Sequence, residues 1–303
     1  MERARSGALD AVLIAGPTAS GKSALAILLA DLLGGVVVNA DSMQVYADLR
    51  VLSARPSMAE EAQVPHRLFG FVPGGAEYSV GDYARDCAAL LAGLHAEGRV
   101  PIIVGGTGLY FRALTEGLVA TPEIPGPVRA RIEAFAAAGG DLHAQLKARD
   151  PDAAARLNPA DTPRLMRALE VVEATGQPLA MWQARAQGAP LLAPGRWQGV
   201  FLNPDRSTLI ERIDRRFLAM MDEGALDEVR ALASLGLPAN RGVMKAHGVP
   251  HLLAHLAGGM TLEAAIALGQ GDTRRYAKRQ MTWARKFMTT GWLWVPEAGA
   301  IAS

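Results

Sequence analysis

The chain has 303 residues, half hydrophobic and a fifth charged, with a formal net charge of +1 at pH 7. That length buries a full core, that composition excludes a disordered chain, and no apolar run approaches the ~20 residues needed to cross a bilayer. A single cysteine, Cys87, rules out an internal disulfide and a multi-cysteine zinc knuckle, while the near-zero charge excludes a protein basic all over but not a local basic face.

Met1 to Asp10 is mixed in charge and has no apolar h-region ahead of a cleavage site, which with the lone thiol points to a cytoplasmic protein. Ala11 to Ala15 is a short apolar run of the kind that forms a strand buried on both faces. A glycine-bearing turn follows, then Ala24 to Leu33, apolar nearly all round and so expected as a buried helix. Gly34-Gly35 ends that helix and Val36-Val37-Val38 starts a second strand. Gly81 to Gly98 is helical in pattern through Tyr83, Cys87, Leu90, Leu91 and Leu94. Val100 to Val104 is a third buried strand, closed by Gly105-Gly106. Strands alternating with helices imply a parallel sheet with right-handed crossovers.

From about Pro125 to Gln187 the chain is helical in pattern, Arg-rich and without a strand candidate. Asp161-Thr162-Pro163 reads as a helix start, Leu165, Leu169 and Val172 as one face, and Gly176 as the stop. A Gly/Pro-rich passage, Gly188 to Gly195, leads back to the sheet at Gly199-Val200-Phe201-Leu202, and Trp292-Leu293-Trp294-Val295 is a closing strand.

Gly16-Pro17-Thr18-Ala19-Ser20-Gly21-Lys22-Ser23 matches G-x-x-x-x-G-K-[ST] in the strand-before, helix-after setting that the motif demands. Its glycines let backbone N–H groups turn inward on a phosphate, and the helix N-terminus adds positive potential. Lys22 supplies a full charge, and the Ser23 hydroxyl is placed to ligate Mg²⁺. The expected fold is therefore α/β: a P-loop NTPase-like parallel sheet flanked by helices, over residues 1–120 and 197–303. An inserted all-helical subdomain is expected at 121–196, hinged near Thr121 and Gly195. The motif identifies a polyphosphate and not a reaction. Hydrolases and kinases usually add a strand-end aspartate for magnesium, whereas Pro101 to Val104 ends in Gly105-Gly106-Thr107.

At the end of the second strand stands Asn39-Ala40-Asp41-Ser42-Met43-Gln44-Val45-Tyr46. With the phosphate loop it resembles the tRNA dimethylallyltransferase (IPP transferase) family. The likeness continues in order through Ser53-Ala54-Arg55-Pro56, Pro65-His66-Arg67-Leu68, Tyr78-Ser79 and Val104-Gly105-Gly106-Thr107-Gly108-Leu109-Tyr110. It ends with Asp161 to Glu170 and Tyr276-Ala277-Lys278-Arg279-Gln280-Met281-Thr282-Trp283. Such colinearity over nearly the whole chain is more specific than any one motif.

The resemblance implies dimethylallyl diphosphate as donor, so that Gly16 to Ser23 holds a diphosphate, with Mg²⁺ as cofactor and ATP as an alternative occupant. The implied acceptor is the exocyclic amine of the adenosine 3′ of the tRNA anticodon. That amine is a poor nucleophile because its lone pair is delocalised, and Asp41 matches the family's general base; its bland alternative is a magnesium-shell or helix-capping aspartate. Thr107 matches a threonine beside that base, its bland alternative being turn stabilisation. Lys245 matches a position near the diphosphate. The Val243 to Val249 stretch departs from the family at His247, read as a packing variant.

For tRNA, the family pattern implies contacts from Asp41, Ser42, Met43 and Gln44, from Arg129, and from Pro163, Arg164, Leu165, Met166 and Arg167. Taken as a helix, Thr273 to Met288 carries Arg274, Lys278 and Arg285 on one stripe and Arg275, Arg279 and Lys286 on the next, with Tyr276, Trp283, Ala284, Phe287 and Met288 opposite. Such a basic face is either simply solvated or an RNA surface. The helical insertion would clamp the anticodon arm. Met43, Leu109, Tyr110 and Phe111 line the prenyl pocket or belong to the core. No membrane and no obligate protein partner are expected, and the family implies a monomer. Two rivals are a P-loop small-molecule kinase and a non-catalytic RNA-binding protein.

Overall fold

The computed structural model describes residues 9–118, 122–184 and 188–297. Thr121 and Gln187, expected at a hinge and a helix end, lie outside the described residues. Two compact units result: the chain up to Thr115 with that from Leu191 onward, and Glu116–Pro190 between them.

The first unit is built on β1 (Ala11–Ala15), β2 (Val36–Asn39), β3 (His66–Arg67), β4 (Pro101–Gly105), β5 (Trp197–Leu202) and β6 (Trp292–Val295). All pairs are parallel, in the order β3-β2-β4-β1-β5-β6. The two strands at its centre, β1 and β4, are apolar at every position because both faces are covered. Leu13, Val38 and Ile103 pack on one side with Tyr83, Cys87 and Leu91 of α3 (Val80–Ala96), while Ile14, Val37 and Ile102 pack on the other with Leu25, Ile27 and Leu29 of α1 (Lys22–Leu33). The expectation that α1 is buried all round fails: Leu28 and Leu32 are 48% exposed. A sheet-flanking helix buries only the face toward the strands.

The two-residue strand β3 escaped the sequence reading, being too short to show a period. Between the strands lie α2 (Met58–Gln63), started by a Ser57–Glu60 capping box, and α4 (Gly108–Thr115). Beyond β5 come α10 (Arg206–Asp222), α11 (Ala225–Ser234), a 3₁₀ turn at Val243–Lys245, α12 (Val249–Leu256) and α13 (Leu262–Phe287). These helices gather a third core around Val45, Leu49, Phe217, Val229 and Leu252. The basic helix thus starts eleven residues before the expected Thr273. Its first half is rich in small residues, and Ala265 and Gly269 are buried there, the glycine backbone lying against the Phe217 ring.

The second unit holds α5 (Gly126–Ala137), α6 (Leu142–Arg149), α7 (Pro151–Arg156), α8 (Thr162–Thr175) and α9 (Leu179–Gln183). Proline stands in the first turn of α8, and Gly176 at φ 69° ends it. Leu165, Ala168 and Leu169 of α8 pack with Ile132, Leu142 and Leu146 to make this unit's own core.

Candidate active site

The chemistry-bearing residues come together at the carboxyl ends of β1, β2 and β4, adjacent strands in the sheet, where open parallel sheets bind their ligands. Gly21, at φ 88°, turns the chain after β1 into the N-terminus of α1. Ser20 Oγ is buried inside the loop with no hydrogen-bond partner. Lys22 Nζ donates to the Pro17 carbonyl at 3.2 Å. Desolvation brings the Lys22 pKa down to about 8; the Asp41 charge opposes that shift, and the Arg216 charge adds to it.

Asp41 is fixed by the residue two before it. Asn39, fully buried, accepts from Asp41 N–H at 2.8 Å and donates to the carbonyls of Asp41 and Leu68 at 2.9 and 3.0 Å. The Asp41 carboxylate accepts from Met43 N–H at 3.0 Å and lines one cavity with Thr18, Lys22 and Ser23. Thr107, on the turn after β4, accepts from Ser42 N–H at 2.9 Å and donates to Ser42 Oγ at 3.2 Å. Diphosphate-loop, base and threonine candidates therefore meet in one place.

Other residues stand where the sequence did not put them. Lys245 is exposed on its 3₁₀ turn and is not among the residues lining the cavity; in so tight a turn neighbours point apart, and Ala246 and His247 face inward instead. His247 packs on Tyr276 with ring centroids 4.7 Å apart, and burial lowers its pKa, so that a neutral imidazole is favoured. Arg216 and Tyr276 line the cavity and Gln280 the neighbouring groove, although nothing in the sequence marks them as site residues. Arg216 lies on the cavity wall, where desolvation lowers its pKa against the pull of Asp41. It sits on a helix with no local motif, so only the packing of α10 against α13 reveals it.

Of the candidate prenyl-pocket residues, Met43 lines the cavity, Leu109 lines a neighbouring groove with Thr107, and Tyr110 and Phe111 are core, with Tyr110 stacked on Tyr83 at 3.8 Å.

In the helical unit Leu165, expected at the RNA, is 1% exposed and serves the core instead. Pro163 and Arg164 are exposed, Met166 and Arg167 half-buried. Arg129 and Arg167 both approach the buried Glu170 carboxylate, at 3.9 and 3.5 Å. On α13 the basic face is partly spent: Arg274 pairs with Asp214 at 2.5 Å and Arg275 with Asp272. Lys278, Arg279 and Arg285 remain exposed.

Comparison with known proteins places this arrangement. The IPP transferase family model matches residues 44–287, and the isopentenyl transferase model residues 9–69. A tRNA dimethylallyltransferase of Azorhizobium caulinodans is 58% identical over 280 residues, covering 92% of this chain and 89% of that one. One from Methylobacterium nodulans is 56% identical over 96% of both chains. Among solved structures, a eukaryotic dimethylallyltransferase acting on tRNA superposes with a TM-score of 0.80 at 27% identity, over 97% of this chain and 75% of that one. The full-length tRNA isopentenylpyrophosphate transferase of Bacillus halodurans gives 0.67 at 34% identity, over 94% and 88%. Sequence and topology agree, and the chain belongs to the IPP transferase family.

Proposed function

We propose that the protein transfers the dimethylallyl group of dimethylallyl diphosphate to the exocyclic N6 amine of the adenosine 3′ of the anticodon in tRNA, releasing diphosphate. The observation that carries this reading is the single cavity in which Asp41 and the phosphate-loop pair Lys22 and Ser23 share a wall. An extruded adenine presents its amine to Asp41, which takes the proton as the C–N bond forms. The donor's C–O bond breaks and its electrons pass to diphosphate, where Lys22 and the loop amides meet the growing charge. The orphaned Ser20 hydroxyl gives the loop a further polar group for a phosphate oxygen.

Mg²⁺ suits the oxygen donor at the head of the loop helix, the Ser23 hydroxyl, a hard ligand of the kind that ion takes. Among the described residues no group of three His, Cys, Asp or Glu could hold a metal, so phosphate oxygens and water would complete the shell. Bound beside Ser23, Mg²⁺ would neutralise charge on the diphosphate. The tRNA contacts we assign are Asp41 to Gln44, Arg129, Pro163, Arg164, Met166 and Arg167 with Lys278 and Arg279; the Arg274–Asp214 pair favours a structural role for Arg274. Among the described residues no helix is long and apolar enough to cross a membrane, and we place the protein with its RNA substrate in the cytoplasm. The kinase alternative is disfavoured by β4, which ends at Gly105 and runs into Gly106-Thr107 with no carboxylate.

The test is incubation with labelled dimethylallyl diphosphate, Mg²⁺ and unmodified tRNA. Label in RNA and released diphosphate are expected; nucleotide consumption with a phosphorylated small product and unlabelled RNA would favour the kinase. Asp41→Ala should lose transfer by at least ~10²-fold while tRNA affinity stays within about 3-fold. Undiminished turnover in that variant would remove Asp41 as base.

A further inference from the structure

Three side chains on one stripe of α13 stand against the turn that follows β4. Tyr276, Gln280 and Trp283 are spaced four and then three residues apart, which puts them on one helix face. Tyr276, Gln280 and Trp283 line one groove with Thr107 and Gly108. Trp283 occupies the space that a side chain on Gly108 would need.

Gln280, buried at 8% exposure, spends both ends of its amide on backbone from two different strand ends. Its Nε2 donates to the Gly106 carbonyl at 2.9 Å, and its Oε1 accepts from Thr18 N–H at 3.0 Å. A Cβ on Gly106 would collide with that Nε2, so the turn is glycine where the amide sits closest. Thr18 belongs to the phosphate loop after β1; Gly106 precedes Thr107, which holds Ser42 beside Asp41. One planar group thus spans the two halves of the site, loop on one side and acceptor turn on the other. A buried amide is costly unless both ends are bonded, and an apolar side chain would fill the same space without that requirement.

We infer that Gln280 is a positioning residue for the transfer, fixing the separation between the diphosphate loop and the Thr107 turn; this rests on the function proposed above. The carbon that moves is held through the diphosphate on one side and meets an amine held by Asp41 and Thr107 on the other. A misplacement of about 1 Å between such partners costs roughly 10²-fold in rate. The Gln280 amide is engaged at both ends by backbone, so its action is on the frame that carries the reacting atoms.

Gln280→Met keeps length and volume without the amide. We expect kcat to fall by about 10²-fold, with KM for donor and tRNA within about 3-fold and the thermal midpoint lowered by the Thr18 N–H and Gly106 carbonyl left without their partner. Gln280→Glu retains the acceptor for Thr18 N–H but turns an oxygen toward the Gly106 carbonyl. When protonated, it regains a donor there, so its kcat relative to wild type should rise as pH falls. A Gln280→Met kcat within about 3-fold of wild type, or a loss confined to KM or thermal stability, overturns the inference. So does a Gln280→Glu ratio flat with pH, which decides alone if the methionine variant fails to fold. A wild-type protein that prenylates no tRNA sinks the proposed function and this inference with it, whereas active wild type with an indifferent Gln280 sinks only the latter.

Discussion

At the scale of single residues, the site is governed by charge held out of water. Lys22 is a cation in a desolvated wall, its pKa brought down to about 8 by burial, with Asp41 as the stabilising counter-charge. The free protein therefore keeps Lys22 charged below about pH 8 and loses that charge above it. An arriving diphosphate favours the protonated form, so its binding should take up a proton and weaken as pH rises from ~7 to ~9. Calorimetry with inorganic diphosphate and Mg²⁺, in two buffers of different ionisation enthalpy, reads both effects. Affinity and proton uptake unchanged through pH 8 would show that Lys22 does not titrate there. Asn39 works differently: neutral and fully buried, it spends its amide on the Asp41 backbone and so decides where the carboxylate points. A sequence reader sees Asn39 as the end of a strand; its role appears only once the Leu68 carbonyl is folded against it.

Elements divide the labour between faces. The motif Tyr276 to Trp283 looks from the sequence like a basic RNA-facing helix with an apolar back, and its back is in fact the template for the Thr107 turn. Its basic side is not uniform either. Arg274 is committed to Asp214 of α10, whereas among the described residues Lys278 forms no ion pair. Lys278→Ala should weaken tRNA binding and lower the salt slope of log K by about one, the signature of one lost phosphate contact. Arg274→Ala should leave that slope nearly unchanged and lower stability by about 0.5–1 kcal/mol, the worth of a half-exposed pair. Filter binding across a salt series and a denaturation midpoint separate the two. Equal slopes for Lys278→Ala and wild type would remove Lys278 from the RNA surface.

On the scale of the whole molecule, the helical unit leaves and re-enters the first unit at neighbouring points, since Leu192 N–H donates to the Leu114 carbonyl at 2.9 Å. Replacing Glu116–Pro190 by a short Gly/Ser linker closes a small loop at little entropic cost. The remaining unit has its own sheet and three of the larger cores, so it should fold and still bind diphosphate. Transfer to tRNA should be lost, because Arg129 and the segment from Pro163 to Arg167 go with the deleted residues. Circular dichroism, diphosphate calorimetry and the transfer assay check this; full activity without the helices would mean that they do not hold the substrate.

Strand runs and the phosphate loop are local patterns, so the chain's own residues were enough to set out the parallel sheet and Gly16 to Ser23, while Asp41 and Thr107 stand out through the family resemblance. Periodicity also located α3 and α8, where apolar spacing matches one buried face. What periodicity missed depends on partners distant in sequence. Arg216 and His247 reach the cavity, and Lys245 turns away, according to how α10, the 3₁₀ turn and α13 pack. Leu165 went to a core because its neighbours on α5 and α6 cover it. Gln280 joins residues 262 and 174 positions away along the chain. Hydrogen bonds of that span leave no trace in local composition, and only the folded molecule brings their donors and acceptors within reach.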